Sequence, residues 1–143
     1  MHLLETALQI ALGTHAGQTD KAGRPYILHP LRLMAAMHTD EERAVALLHD
    51  VIEDGDWDRA RLIEAGIPAK VADAVETLSR RDGEGYPAFI ERVLGNPLAA
   101  RVKRADIEDN LQVLRLPVLS DADLERVAKY HRAWHRLSDA LAD

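Results

Sequence analysis

The run Ala46-Leu47-Leu48 leads directly into His49-Asp50-Val51-Ile52-Glu53-Asp54. An apolar helix face thus ends on an imidazole and three carboxylates. The body of such a helix must be buried, and polar groups at its buried end need partners there. On a 3.6-residue period Glu53 lies one turn beyond His49, and Asp54 one turn beyond Asp50. Groups of these types gathered at one helix end suggest a divalent metal with an acid or base beside it. The other ligands must then come from elsewhere in the chain.

The rest of the chain reads as helices packed around that element. Leu3, Leu4, Ala7, Leu8, Ala11 and Leu12 repeat at helical spacing in a first helix over residues 2–18. Thr19 to Pro25 is polar, with Gly23, and predicts a loop. Tyr26 to His29 is expected to be extended or a single turn, because a residue before proline avoids the helical region. Pro30 then opens a helix to about His38. Thr39 and Glu42 have capping-box spacing and start the central helix, which Gly55 and Asp56 end. Further helices are expected over 57–65, 68–81, 86–94 and 96–116, and from the Ser120 cap to Leu141, with Leu114 and Leu124 as core candidates. No segment alternates as a strand does. The prediction is a compact all-α single domain over residues 1–143, a bundle of roughly seven or eight helices with ends good to about two to four residues.

Charge and cysteine content narrow the chemistry. A formal net charge of −6 argues against a generic nucleic-acid polymer as partner. With no cysteine, a metal must be held by histidine and carboxylate, and a cytoplasmic protein is expected. The longest apolar runs are too short for a bilayer and no signal core opens the chain, so no membrane association is expected. Oligomeric state stays open.

Asp106 is the second landmark. A carboxylate among Val102, Ala105 and Ile107 is costly to bury without a cation or donors, and Lys103 and Asn110 lie about one turn to either side. His29, His49, Asp50 and Asp106 would leave positions open on a six-coordinate manganese, iron or zinc ion. Such an ion lowers the pKa of water enough to make a nucleophile near neutral pH, and it polarises a phosphoryl oxygen. Glu53 is placed to move a proton, while Lys21, Lys103 and Arg104 could neutralise phosphate charge.

Four stretches in order carry a resemblance. They are His15-Ala-Gly-Gln18, Gly23-Arg-Pro-Tyr-Ile-Leu-His-Pro30, Ala46-Leu-Leu-His-Asp-Val-Ile-Glu-Asp54 and Val102-Lys-Arg-Ala-Asp-Ile-Glu-Asp-Asn110. Over roughly residues 7–135 the chain resembles the HD-domain metal-dependent phosphohydrolases, and within them the Rel/Spo-type guanosine-alarmone hydrolases and their small stand-alone relatives. The resemblance implies Mn2+ on His29, His49, Asp50 and Asp106, with Glu53 and Asp54 acting on the attacking water or the leaving group. It implies a phosphorylated nucleotide as substrate, with Lys21, Asn110 and Tyr130 as contacts and removal of the 3′-pyrophosphate of ppGpp as the reaction. The chain departs from the family at Asp20, where a basic residue usually flanks the base; Arg24 is the nearest substitute. That departure keeps two alternatives open: the same chemistry on a nucleoside monophosphate or dinucleotide phosphate, and a nucleotide-binding regulatory domain with little turnover.

Overall fold

The computed structural model describes residues 1–142. Nine α-helices follow in chain order among the described residues: α1 Leu3–His15, α2 Leu28–Ala35, α3 Asp40–Leu48, α4 Val51–Asp54, α5 Arg59–Glu64, α6 Ala69–Thr77, α7 Tyr86–Leu94, α8 Pro97–Asn110 and α9 Asp121–Leu141. No strand forms among them; the nearest approach is an isolated bridge between Thr19 and Pro25. The fold is all-α, as expected.

Helix α3 is the central strut. Ala44 through Leu48 are five consecutive buried residues, so this helix is enclosed on every side rather than along one stripe. It touches α1, α2, α6 and α8. Its start is the expected capping box: the Thr39 hydroxyl accepts from Glu42 N, and Glu42 accepts from Thr39 N at 3.0 Å. The buried Glu42 carboxylate also takes Arg101 Nε at 3.0 Å, which ties α3 to α8. The Ser120 cap of α9 forms as read, as a capping box with Asp123.

The structure corrects the reading at three places. The central helix does not run through to Gly55. It breaks at His49–Asp50, where Asp50 leaves the helical region at φ −109° and ψ 2°, and α4 restarts at Val51. His29 does not sit outside α2 but inside its first turn, with Pro30 following it. Proline is tolerated there because first-turn N–H groups have no intrahelical acceptor to lose. Finally, α8 stops at Asn110 and passes into a 3₁₀ turn at Val113–Arg115, so Leu114 rotates outward and is 97% exposed rather than in the core. Leu124 is likewise exposed.

The loop between α6 and α7 is pinned by charge. Arg92 donates to both Glu84 oxygens at 2.9 Å and also to the carbonyls of Thr77 and Ser79. The Arg92 hydrogen bonds hold the Glu84 carboxyl down at about 2. A depressed carboxylate contributes stability above its unfolded pKa of about 4.3 and loses it as pH falls toward the folded value. The melting-temperature gap between wild type and Glu84→Gln is therefore expected to be constant from pH 7 to pH 5. It should close between about pH 4 and pH 2.

Candidate active site

The break after α3 delivers His49 and Asp50 to the junction of α2, α4 and α8. The Nδ1 of His49 donates to Ala46 O at 2.7 Å, which leaves Nε2 facing the cluster. His49 Nε2 is buried and makes no hydrogen bond of good geometry, although Asp50 Oδ2 lies at 3.1 Å and Asp106 Oδ1 at 3.6 Å. His29 arrives from α2. Its Nδ1 is 2.6 Å from Asp109 Oδ2 and its Nε2 2.8 Å from Asp106 Oδ1. One ligand atom each from His29, His49 and Asp50 lie within 4.8 Å of one another. Asp106 falls outside that mutual set, yet its Oδ1 stands beside both imidazoles, and we count it with them on those two distances.

The electrostatics suit a cation. Burial opposes ionisation of Asp106, but Lys103 at 2.8 Å and the two imidazoles hold its carboxyl well below the usual range. Burial likewise opposes charging of His49, and Asp50 and Asp106 overcome it and raise the imidazole well above its ordinary value. Against its own desolvation, the Asp50 carboxyl is held at about 2 by His49 and by the Tyr26 hydroxyl that donates to Asp50 Oδ2. Positive charge is thus held between the carboxylates, where a divalent ion would sit. Two imidazoles with oriented Nε2 atoms, one of them unpartnered, and two carboxylates form a hard, mixed N/O donor set that fits manganese, iron or zinc.

Two clefts meet at this cluster. The first, about 240 Å³, is lined by His29, His49, Asp50, Asp106 and Glu53 and by Arg80, Tyr86, Lys103 and Lys129. The second, about 300 Å³, runs past Lys21, Asp20, Arg32, Asp123 and Arg126. Tyr26, His29, Asn110 and Tyr130 line both.

The other expected residues divide. Glu53 is on the first cleft and accepts from Arg80 N at 2.8 Å. Asp54 lies outside both clefts; it accepts from Gln18 Nε2 at 3.3 Å and stands 3.7 Å from His15 Nδ1. Asn110 donates to Asp106 Oδ1 at 3.1 Å. Lys21 lines the second cleft, 4.0 Å from Asp123. Arg24 lines neither cleft: its backbone N–H and carbonyl are both taken by Asp20. Asp20 Oδ1 also accepts from Ala22 N, so this acid folds the loop.

Three residues went unread in the sequence. Tyr26 fixes Asp50, Asp109 fixes His29, and Arg32 holds Asp109 through Nε and a terminal nitrogen at 2.8 and 2.9 Å. Asp109 sits three residues after Asp106 in the quoted motif, the one signal that could have drawn attention to it. Asp109→Ala frees the His29 ring, and it is expected to weaken Mn2+ binding by roughly 10–100-fold, measured by calorimetric titration.

Comparison with known proteins agrees with this geometry. The chain is 41% identical over 126 residues to a guanosine-3′,5′-bis(diphosphate) 3′-pyrophosphohydrolase of Vibrio cholerae, covering 78% of this chain and 18% of that protein. It is 32% identical over 126 residues to the bifunctional (p)ppGpp synthase/hydrolase SpoT of Escherichia coli, with the same coverage. The chain therefore spans less than a fifth of these relatives' length. A solved structure, described as a metazoan ortholog of SpoT that hydrolyzes ppGpp, superposes with a TM-score of 0.78 at 21% identity, over 99% of this chain and 93% of that one. That likeness is one of fold. An HD domain model matches residues 7–121, a span that holds all four clustered histidines and aspartates: the chain belongs to the HD domain family.

Proposed function

We propose that this protein is a metal-dependent phosphohydrolase that removes the 3′-pyrophosphate of a guanosine alarmone, ppGpp, with Mn2+ on His29, His49, Asp50 and Asp106. One observation carries the reading: two imidazoles from different helices turn their Nε2 atoms toward the carboxylates of a buried junction, and His49 Nε2 has no hydrogen-bond partner there. The relatives named as 3′-pyrophosphohydrolases supply the substrate. A divalent ion held there would supply Lewis-acid activation of water and of a phosphoryl oxygen.

The chain's own residues do the rest. Asp109 and Ala46 O set the tautomers of His29 and His49, and the Tyr26 hydroxyl fixes Asp50. Glu53, on the wall of the same cleft, takes the proton of the attacking water. Asp54 supports it from behind by holding Gln18 and His15. Lys103 keeps Asp106 ionised, and Asn110 and Tyr130 bridge from the reacting phosphate to the nucleoside cleft, where Lys21 waits. Arg24 enters only through its backbone hold on the Asp20 loop. Water attacks phosphorus, the bond from phosphorus to the 3′-oxygen breaks, and the proton taken by Glu53 passes to that oxygen as GDP and pyrophosphate leave. A nucleotide substrate supports a cytoplasmic location for this activity. No helix among the described residues is long and apolar enough to cross a membrane.

Asp20 favours a second reading. Its carboxylate is committed to the loop and offers a base no cation, so the same chemistry on another nucleotide is the alternative. A substrate panel with Mn2+ tests both. Pyrophosphate released from ppGpp is the expected product. Orthophosphate from simple nucleotides with ppGpp untouched would transfer the assignment to the second reading. Tight binding without product would make this a regulatory domain.

A further inference from the structure

We propose that the catalytic cleft carries a second anion site, built by Arg80, Lys129 and the Tyr86 hydroxyl, that takes the second phosphoryl group of a linked diphosphate. The inference rests on the phosphohydrolase reading for the place of the first phosphoryl group, at the histidine–aspartate cluster. Three helices and a loop converge on the site: Arg80 from the loop between α6 and α7, Tyr86 from the first residue of α7, Lys103 from α8 and Lys129 from α9. The Arg80 guanidinium, Lys103 Nζ and Lys129 Nζ lie 5.7, 5.8 and 4.6 Å from the centre of the same Tyr86 ring. Lys103 is matched by Asp106 at 2.8 Å. Arg80 donates one terminal nitrogen to the Glu84 carbonyl at 2.9 Å, and neither Arg80 nor Lys129 has a carboxylate within ion-pair distance among the described residues.

Like charges brought together repel, and an aromatic face attracts a cation far less strongly than a phosphate does. Burial, and then the charges of Arg80, Arg126, Lys103 and Lys21, push the Lys129 ammonium below its usual range. In a chain of net charge −6, this concentration of cations calls for a negative ligand. The Tyr86 hydroxyl is the independent mark: it is buried and has no hydrogen-bond partner. The site and the cluster face one cleft of about 240 Å³. A monophosphate on the cluster would leave Lys129 and the remaining Arg80 donors without an anion, whereas a second, linked phosphoryl group in the same cleft would supply one. The site thus selects the length of the phosphate chain.

Calorimetric titration of the Mn2+-loaded protein with inorganic pyrophosphate and with orthophosphate, each against a protein-free blank that subtracts association of the anion with Mn2+, tests this. Wild type is expected to bind pyrophosphate at least about tenfold tighter than orthophosphate. Lys129→Gln should lose roughly 10–100-fold in pyrophosphate affinity with orthophosphate nearly unchanged, and Tyr86→Phe a smaller amount in the same sense. Melting temperatures near wild type establish that both variants fold. Equal binding of the two anions by wild type would overturn the proposal, as would unchanged pyrophosphate affinity in folded Lys129→Gln. A pyrophosphate preference without ppGpp turnover would sink the proposed function and leave this site standing. ppGpp turnover with no loss in Lys129→Gln would do the reverse.

Discussion

Asp106→Ala is expected to lose both fold stability and activity, the largest combined effect of any single change at the site. This carboxylate, only 6% exposed, accepts from Lys103 and Asn110, lies 2.8 Å from His29 Nε2 and stands 3.6 Å from His49 Nε2. Without it, Lys103 is a buried ammonium with no counter-charge, and breaking such a pair costs about 3–5 kcal/mol. In a chain of this size that is a fall of roughly 10–15 °C in melting temperature. Turnover should fall by more than the roughly 10–100-fold typical of a residue behind a ligand. Asp106→Asn separates the two effects. The amide keeps the shape, so more of the stability should survive while Mn2+ affinity does not. Calorimetric titration and thermal melting on both variants check this.

Asp50→Ala is expected to abolish Mn2+ binding and turnover while leaving a folded protein. Asp50 stands at the helix break with its side chain 23% exposed, so it is less bound into the core than Asp106. Its removal leaves the Tyr26 hydroxyl without an acceptor, a cost of about 1–3 kcal/mol. The melting temperature should therefore fall less than in Asp106→Ala, whereas the loss of turnover should be as deep. Retained turnover in folded Asp50→Ala would count against the assigned ligand set.

Much of the architecture was legible because local rules govern it. Thr39 with Glu42, and Ser120 with Asp123, cap their helices where the spacing placed them, and Ala44 to Leu48 are buried as an apolar run demands. The break at His49–Asp50 was not legible. Neither glycine nor proline marks it, and the His49 ring is turned by a bond to Ala46 O and by carboxylates distant in sequence. Leu114 misled for a related reason, since the helical period continues past Asn110 while the chain does not.

The site was legible in part. His29, His49, Asp50 and Asp106 stand in motifs that can be read singly, and the fold brings them to one junction. The groups that orient them could not be read this way. Asp109 meets His29 across 80 residues and Tyr26 meets Asp50 across 24, and no periodicity encodes such pairs. Asp54 shows the converse. One turn beyond Asp50 on an unbroken helix it would share the site, but the break turns it toward Gln18 and His15.

The most direct measurement is anomalous diffraction from Mn2+-loaded crystals, collected at the manganese edge. The expected result is one strong peak at the α2–α4–α8 junction, in contact with the Nε2 atoms of His29 and His49 and with carboxylate oxygens of Asp50 and Asp106. A fully loaded crystal with its manganese elsewhere, or with Asp106 turned away from both imidazoles, would contradict the assigned centre and the chemistry built on it.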